Sequence, residues 1–140
     1  MLIYTIGYGG RAPTEFLRLL QEHGIRSIAD VRLRPDRASM GCYVRAKSPD
    51  KGIQRLLSGA GIAYESFLEL GNEFRDSEDW EPRYRELLER EGEARCQRLL
   101  AAGLPEPICL LCAEKDPAKC HRRLAAEFLE QRGHEIQHIV

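Results

Sequence analysis

The sequence predicts an α/β fold: a single-domain three-layer sandwich of about five mostly parallel strands, ordered 3-2-1-4-5, with helices on both faces. Three observations predict it. Short β-favouring apolar runs alternate with segments whose apolar residues recur at helical spacing, and such alternation demands right-handed crossover connections between parallel strands. Ile108–Cys112 is a continuous apolar run behind Pro105 and Pro107, as expected of a central strand covered by helices on both faces. The 140 residues contain no linker, so residues 1–140 form one domain, long enough to bury roughly two thirds of the surface of its unfolded chain. The order follows from economy: the first three units wind one way and the fourth returns beside the first.

Met1 to Ile6 is apolar and β-favouring, and Gly7-Tyr8-Gly9-Gly10 ends it. Pro13 then opens a helix with Phe16, Leu17, Leu19 and Leu20 on one side, closed by Gly24. Ile25 to Val31 is the second strand. The next twenty residues show no period and hold Arg32, Arg34, Arg37, Arg45 and Lys47; a loop of this length is usually functional or disordered. A short helix over Lys51 to Ser58 leads through Gly59 and Gly61 into a third strand, Ile62 to Phe67. Trp80, Tyr84, Leu87 and Leu88 mark one helix, and Cys96, Leu99 and Leu100 another, with Gly92 as a break or kink between them. After the Ile108–Cys112 strand, Asp116 caps a helix whose first turn holds Pro117, whose apolar face is Leu124, Ala125, Phe128 and Leu129, and which Gly133 ends. Glu135 to Val140 is the last strand.

Composition narrows the classes of function. The formal net charge is −1, so nucleic acid exerts no general pull. The charge is unevenly spread: Asp30 to Arg55 holds seven basic and three acidic residues, and Glu65 to Glu93 eleven acidic and four basic. A solvated surface with two unlike faces explains this as well as an anion site does. No apolar run approaches the roughly 18 residues of a membrane span, and the N-terminus lacks a basic-then-apolar signal pattern. The expectation is a cytoplasmic protein with no membrane partner. Five cysteines in no framework spacing point to free, reduced thiols.

Ligands of open α/β sheets bind beyond the carboxyl ends of the strands, where the winding reverses. In the expected order, Tyr8, Gly9 and Arg11, Asp30 with Arg32, and Cys112 with Glu114 face that crevice. Glu114, a carboxylate beside arginines, is the candidate general acid or base. Cys112 precedes a helix N-terminus, where backbone N–H groups and Arg32 or Arg122 would favour a thiolate nucleophile; Glu114 and Asp116 oppose this. The loop has neither a glycine-rich cradle nor an arginine six residues after the cysteine, so it does not read as a cysteine-dependent phosphatase. His121 would orient Glu114 or Asp30. Arg122 belongs at the crevice rim, its fork taking a carboxylate or phosphate, while Arg123, aligned with Glu127 and Glu130, lies on a solvated helix face. Cys120 faces the sheet, as core or as site wall. Gly7 to Gly10 would cradle phosphate with free N–H groups. Cys109 and Cys112 lie three apart on a strand and face opposite ways, so they cannot grip one metal. Cys112, Glu114, Cys120 and His121 have no usual zinc spacing either, and no metal site is expected.

TIGYGGR at Thr5 to Arg11, ADVR at Ala29 to Arg32, GIAYE at Gly61 to Glu65, ELG at Glu69 to Gly71, LLCAEKDPAKCHR at Leu110 to Arg122 and the closing HIV are together specific. With these motifs, in this order, the chain resembles the family catalogued as domain of unknown function 488. The resemblance carries over to Gly7, Asp30, Arg32, Gly71, Cys112, Glu114, Cys120, His121 and Arg122. The sequence departs from the common form with Tyr8-Gly9 where His-Ser is frequent, and with Asn72 where a second glycine is frequent. The resemblance implies the fold and the site and assigns no reaction or cofactor.

The functional expectation is a crevice for an anionic small molecule, nucleotide-like, phosphorylated or sugar-bearing. If the protein is an enzyme, Glu114 moves the proton, Arg32 and Arg122 hold the anion, and Asp30 and His121 orient them. The alternative is a non-catalytic nucleic-acid-binding module that uses the basic Arg32–Arg55 loop. Tyr43 is the only aromatic residue in that loop, which gives little for bases to stack on.

Overall fold

The computed structural model describes residues 1–140. Five parallel strands form one sheet: β1 (Leu2–Gly7), β2 (Ser27–Asp30), β3 (Ala63–Ser66), β4 (Ile108–Cys112) and β5 (Glu135–His138). Four helices connect them: α1 (Pro13–Glu22), α2 (Gly52–Ser58), α3 (Trp80–Ala101) and α4 (His121–Glu130). None of them is long and apolar enough to cross a membrane.

The strand order is β3-β2-β4-β1-β5, which corrects the expected 3-2-1-4-5. β4 does not lie outside β1 but is inserted between β1 and β2, pairing Leu110 with Thr5 on one side and with Ala29 on the other. The reason lies in burial. Every residue of β4 is buried, whereas β3 is half-buried throughout and β5 alternates between exposed and half-buried. The strand that is apolar on both faces takes the centre, and strands with polar positions take the edges.

The sheet separates two apolar layers. Phe16 and Leu20 of α1 and Ile53 and Leu57 of α2 pack with Tyr4, Ile6, Ile28, Cys109 and Leu111 on one face. Tyr84, Leu87, Leu88, Cys96 and Leu99 of α3 and Leu124, Phe128 and Leu129 of α4 pack with Ile3, Ala29, Leu110 and Cys112 on the other. Cys109 and Cys112 thus fall on opposite faces, as strand alternation requires.

Two helix boundaries differ from expectation. Residues 80–101 form one continuous helix, without a break at Gly92. A Cβ at Gly92 would lie 2.6 Å from Cζ of Phe128, so this glycine admits the α4 ring instead of ending α3. Asp116 caps only a 3₁₀ turn, Pro117–Lys119, accepting from the Ala118 N–H at 2.9 Å. α4 begins afresh at His121, with Cys120 as its N-cap. The long basic loop is ordered around a 3₁₀ turn at Gly41–Tyr43, and the Tyr43 side chain is wholly buried.

Candidate functional site

At the carboxyl ends of β1, β2 and β4 lies a cavity of about 400 Å³. Tyr8 enters it from the end of β1, Arg32, Arg34 and Arg37 from the loop after β2, and Cys112 and Glu114 from the end of β4. Lys119 comes from the 3₁₀ turn, Cys120 and His121 from the start of α4, and Asn72, Arg75, Asp76 and Trp80 complete the lining. The reversal of winding falls here, since β4 returns between β2 and β1, and this is where a parallel sheet opens a crevice.

The floor is held by close backbone approach. The Tyr8 and Gly9 N–H groups donate to the Cys112 and Ala113 carbonyls at 3.1 and 2.7 Å. A Cβ on Gly7 would collide with the Glu114 carbonyl, and one on Gly9 would lie 2.5 Å from the Ala113 oxygen. The glycine turn therefore lets the β4–α4 loop cross it. The expectation of a phosphate cradle of free N–H groups is corrected: the N–H groups of Tyr8 and Gly9 are engaged by β4 and its loop.

Arg32 is buried at the cavity wall in a network that begins at the strand end. Its Nε and Nη2 donate to the wholly buried Asp30 carboxylate at 2.9 and 2.7 Å, and its Nη1 donates to the Tyr43 carbonyl at 2.8 Å. The Tyr64 hydroxyl donates to Asp30 from the other side at 2.5 Å. Burial opposes the Arg32 charge, but the Asp30 hydrogen bonds and field overcome it and raise its pKa. A guanidinium has five donors, so one N–H on each terminal nitrogen of Arg32 is left over. The Arg32 guanidinium stands 5.3 Å from the centre of the Tyr8 ring, which stacks on Tyr43 at 4.5 Å.

Arg122 is not at the rim. It is wholly buried. Its Nε donates to Thr5 Oγ1 at 3.3 Å, its Nη2 to the Lys115 carbonyl at 3.1 Å, and its Nη1 to the Glu114 carbonyl and, at 3.0 Å, to Cys112 Sγ. Burial pulls its pKa down to about 10, which leaves it charged at neutral pH. The reason for its position is the register of α4: Arg122 faces inward over the sheet, while Arg123 faces out and pairs with Glu127 at 3.0 Å. Arg122 therefore clamps the loop that carries Glu114, and it does not line the cavity.

Arg11 is also buried outside the cavity, its Nε donating to the Gly7 carbonyl at 2.9 Å. His121 does line the cavity, but it orients neither Glu114 nor Asp30. Its Nε2–H donates to the Val31 carbonyl at 2.8 Å, and Nδ1 faces Cys120 Sγ at 3.6 Å. Burial lowers its pKa to about 4, so the ring is neutral at pH 7. Of the five cysteines, Cys112 and Cys120 bring their sulfur atoms together, and Cys42, Cys96 and Cys109 stand apart from them.

Glu114 and Arg32, more than eighty residues apart in sequence, line the same cavity, as does Tyr8. They do not pair with each other. The Glu114 side chain is exposed and forms no hydrogen bond or ion pair within the protein. Sequence reasoning gave Arg75, Lys119, Asn72 and Trp80 no place in the site, although all four line the cavity. Arg75 is hidden in the acidic stretch, and only the three-dimensional return of the residue 72–80 segment brings it to the cavity that Arg34 and Arg37 also line.

No curated protein and no solved structure matches the chain at a significant level. One family does, the one described as a domain of unknown function, DUF488, over residues 12–129, which include the β2, β4 and α4 contributions to the cavity. The chain belongs to the DUF488 family.

Proposed function

We propose that the cavity binds a small anionic ligand that is nucleotide-like, phosphorylated or sugar-bearing, and that Glu114 serves as the general acid or base of a hydrolase or transferase step upon it. One observation carries this reading. Arg34, Arg37, Arg75 and Lys119 converge on one cavity and none of them has a carboxylate partner, although arginines elsewhere on the surface are widely paired. The lining carries these unpaired cations against two carboxylates, Asp76 and Glu114, and an anion relieves the excess of positive charge. The remaining N–H groups of Arg32, fixed by Asp30, add directed donors suited to phosphate or carboxylate oxygens. Tyr8 and Trp80 offer aromatic surface for a base or sugar face. Glu114 carries no competing partner, which suits a group that must exchange a proton with a ligand.

Trp80 is the only tryptophan and lines the cavity, so its fluorescence reports occupancy. Titration with inorganic phosphate, nucleoside monophosphates and sugar phosphates is expected to give a saturable change for at least one class. Joint replacement Arg34→Ala and Arg37→Ala should weaken it at least tenfold, and Glu114→Gln should preserve binding while abolishing turnover. No saturable response from any of these anions, or a response indifferent to the arginines, would sink the reading. The nucleic-acid alternative is separated by salt: binding of a single-stranded oligonucleotide through the Arg32–Arg55 loop should weaken steeply with ionic strength, in proportion to the phosphates neutralised. A pocket that takes one phosphate group depends on salt far less.

A further inference from the structure

The anion reading leaves the two sulfurs of the cavity wall without a role. Cys112 ends β4 and Cys120 caps α4, eight residues later, and both line the cavity. Their sulfur atoms meet in the structure, while their Cα atoms stand 7.4 Å apart, beyond the span of about 4.4–6.8 Å in ordinary structural bridges. A bond of ordinary geometry between them therefore requires the loop that joins them to shift.

Each sulfur also has a neighbour that favours its thiolate. Arg122 Nη1 lies 3.0 Å from Cys112 Sγ, and the Arg122 backbone N–H, in the first turn of α4, donates to Cys120 Sγ at 3.5 Å. A cation and a helix N-terminus are the two settings that most often make a cysteine reactive. The other thiols lack these features. Burial pushes the Cys109 and Cys96 thiols upward, Cys96 to about 11, and neither lines this cavity. Cys42 is also pushed upward by burial and has no cysteine beside it.

We propose that Cys112 and Cys120 are a reversible dithiol–disulfide couple, a two-electron redox site open to the cavity, whose oxidising substrate is a low-molecular-weight disulfide such as glutathione disulfide. In the oxidising direction, the thiolate of one cysteine attacks a sulfur of glutathione disulfide, forming a mixed disulfide and expelling one glutathione thiolate. The second cysteine, deprotonated in turn, attacks the protein-side sulfur of that mixed disulfide. The Cys112–Cys120 bond forms and the second glutathione leaves. The protein gives up two protons and two electrons, and one disulfide becomes two thiols. Excess glutathione drives the reverse. Arg122 ties this chemistry to the loop, because the guanidinium beside Cys112 Sγ also holds the Glu114 and Lys115 carbonyls.

The inference does not depend on which anion the cavity takes, and its test uses none. The intact protein is equilibrated across a series of reduced-to-oxidised glutathione ratios, quenched with an alkylating reagent and mapped by peptide mass. The wild type is expected to pass from five alkylatable thiols to three, the loss confined to Cys112 and Cys120 and reversed by reduced glutathione. Cys112→Ser and Cys120→Ser should stall with one bound glutathione on the remaining sulfur of the pair. Five alkylatable thiols at the oxidised limit, a loss elsewhere in the chain, or a loss that reduced glutathione does not reverse would each overturn the proposal. The wild-type titration stands even if either serine variant fails to fold.

Discussion

Arg122 is a buried cation without a carboxylate beside it, and its charge is spread over a hydroxyl, a sulfur and two carbonyls. Its removal takes away the partner of the partly buried Glu114 and Lys115 carbonyls and of the buried Thr5 hydroxyl, so Arg122→Met is expected to cost about 3 kcal/mol of stability. Arg122→Lys should rescue little of it, because one ammonium cannot span acceptors arranged for a planar fork. Urea midpoints close to wild type for both variants would refute the clamp. His121 gives a pH test. Its folded-state pKa of about 4 lies below the ordinary 6.5, so the unfolded chain binds a proton that the folded chain refuses between those values. Stability therefore falls as pH drops through that window, by about 2 kcal/mol between pH 6.5 and 5. His134 and His138 are lowered too, chiefly by burial, and contribute in the same direction. The comparison is thus between wild type and His121→Gln, which can still donate to Val31 but does not titrate. The variant should lose less on acidification, and equal losses would contradict the assignment. Both residues were visible in the sequence as members of the CHR motif. Their directions were not, because whether a side chain points to the rim or to the floor depends on the rotation of α4 over the sheet.

At the scale of elements, α3 shows why a glycine was misread. Glycine within a helix costs about 1 kcal/mol relative to alanine, so Gly92 reads as a break as long as its neighbour is unknown. The neighbour is Phe128 of α4, whose ring occupies the space of the absent Cβ. Gly92→Ala should therefore destabilise the protein by about 1–3 kcal/mol, the cost of overpacking, despite the better helix propensity. In Phe128→Leu the collision is relieved, and the same Gly92→Ala change should then be neutral or stabilising. A double-mutant cycle measures the coupling, and additive effects would dissociate Gly92 from the ring. The cap at Asp116 was legible because a carboxylate before proline has a local signature. The element that it caps was not, because Cys120 restarts the helix four residues later. Asp116→Ala should accordingly cost only about 0.5 kcal/mol, at the low end for a lost cap, since the turn is short and exposed.

At the scale of the whole molecule, the alternation of strands and helices was legible because periodicity is local, whereas the order of strands depends on which pairings bury most. Ile108–Cys112 read as buried on both faces, yet economy of connection set it outside β1, and that preference lost to burial. With β4 between β1 and β2, the first two strands never touch each other, and β3 reaches the rest of the sheet only through β2. In the order first expected, β1, β2 and β3 would form a contiguous sheet from the first half of the chain. In the observed order, the β4 amides bond to a neighbour on each side, while β3 and β5 each keep one unpaired edge. Native-state hydrogen exchange of the intact protein separates the two arrangements. Amides of Cys109 to Cys112 should open only in global unfolding, those of β1 and β2 nearly so, and those of β5, with its exposed alternation, first. Because β4 also carries the cavity floor, the Tyr8 and Gly9 amides, bonded to the Cys112 and Ala113 carbonyls, should share its protection. A floor that exchanges with β5 instead of with β4 would mean that the crevice is not built on the central strand, and the order deduced from pairing would fail with it.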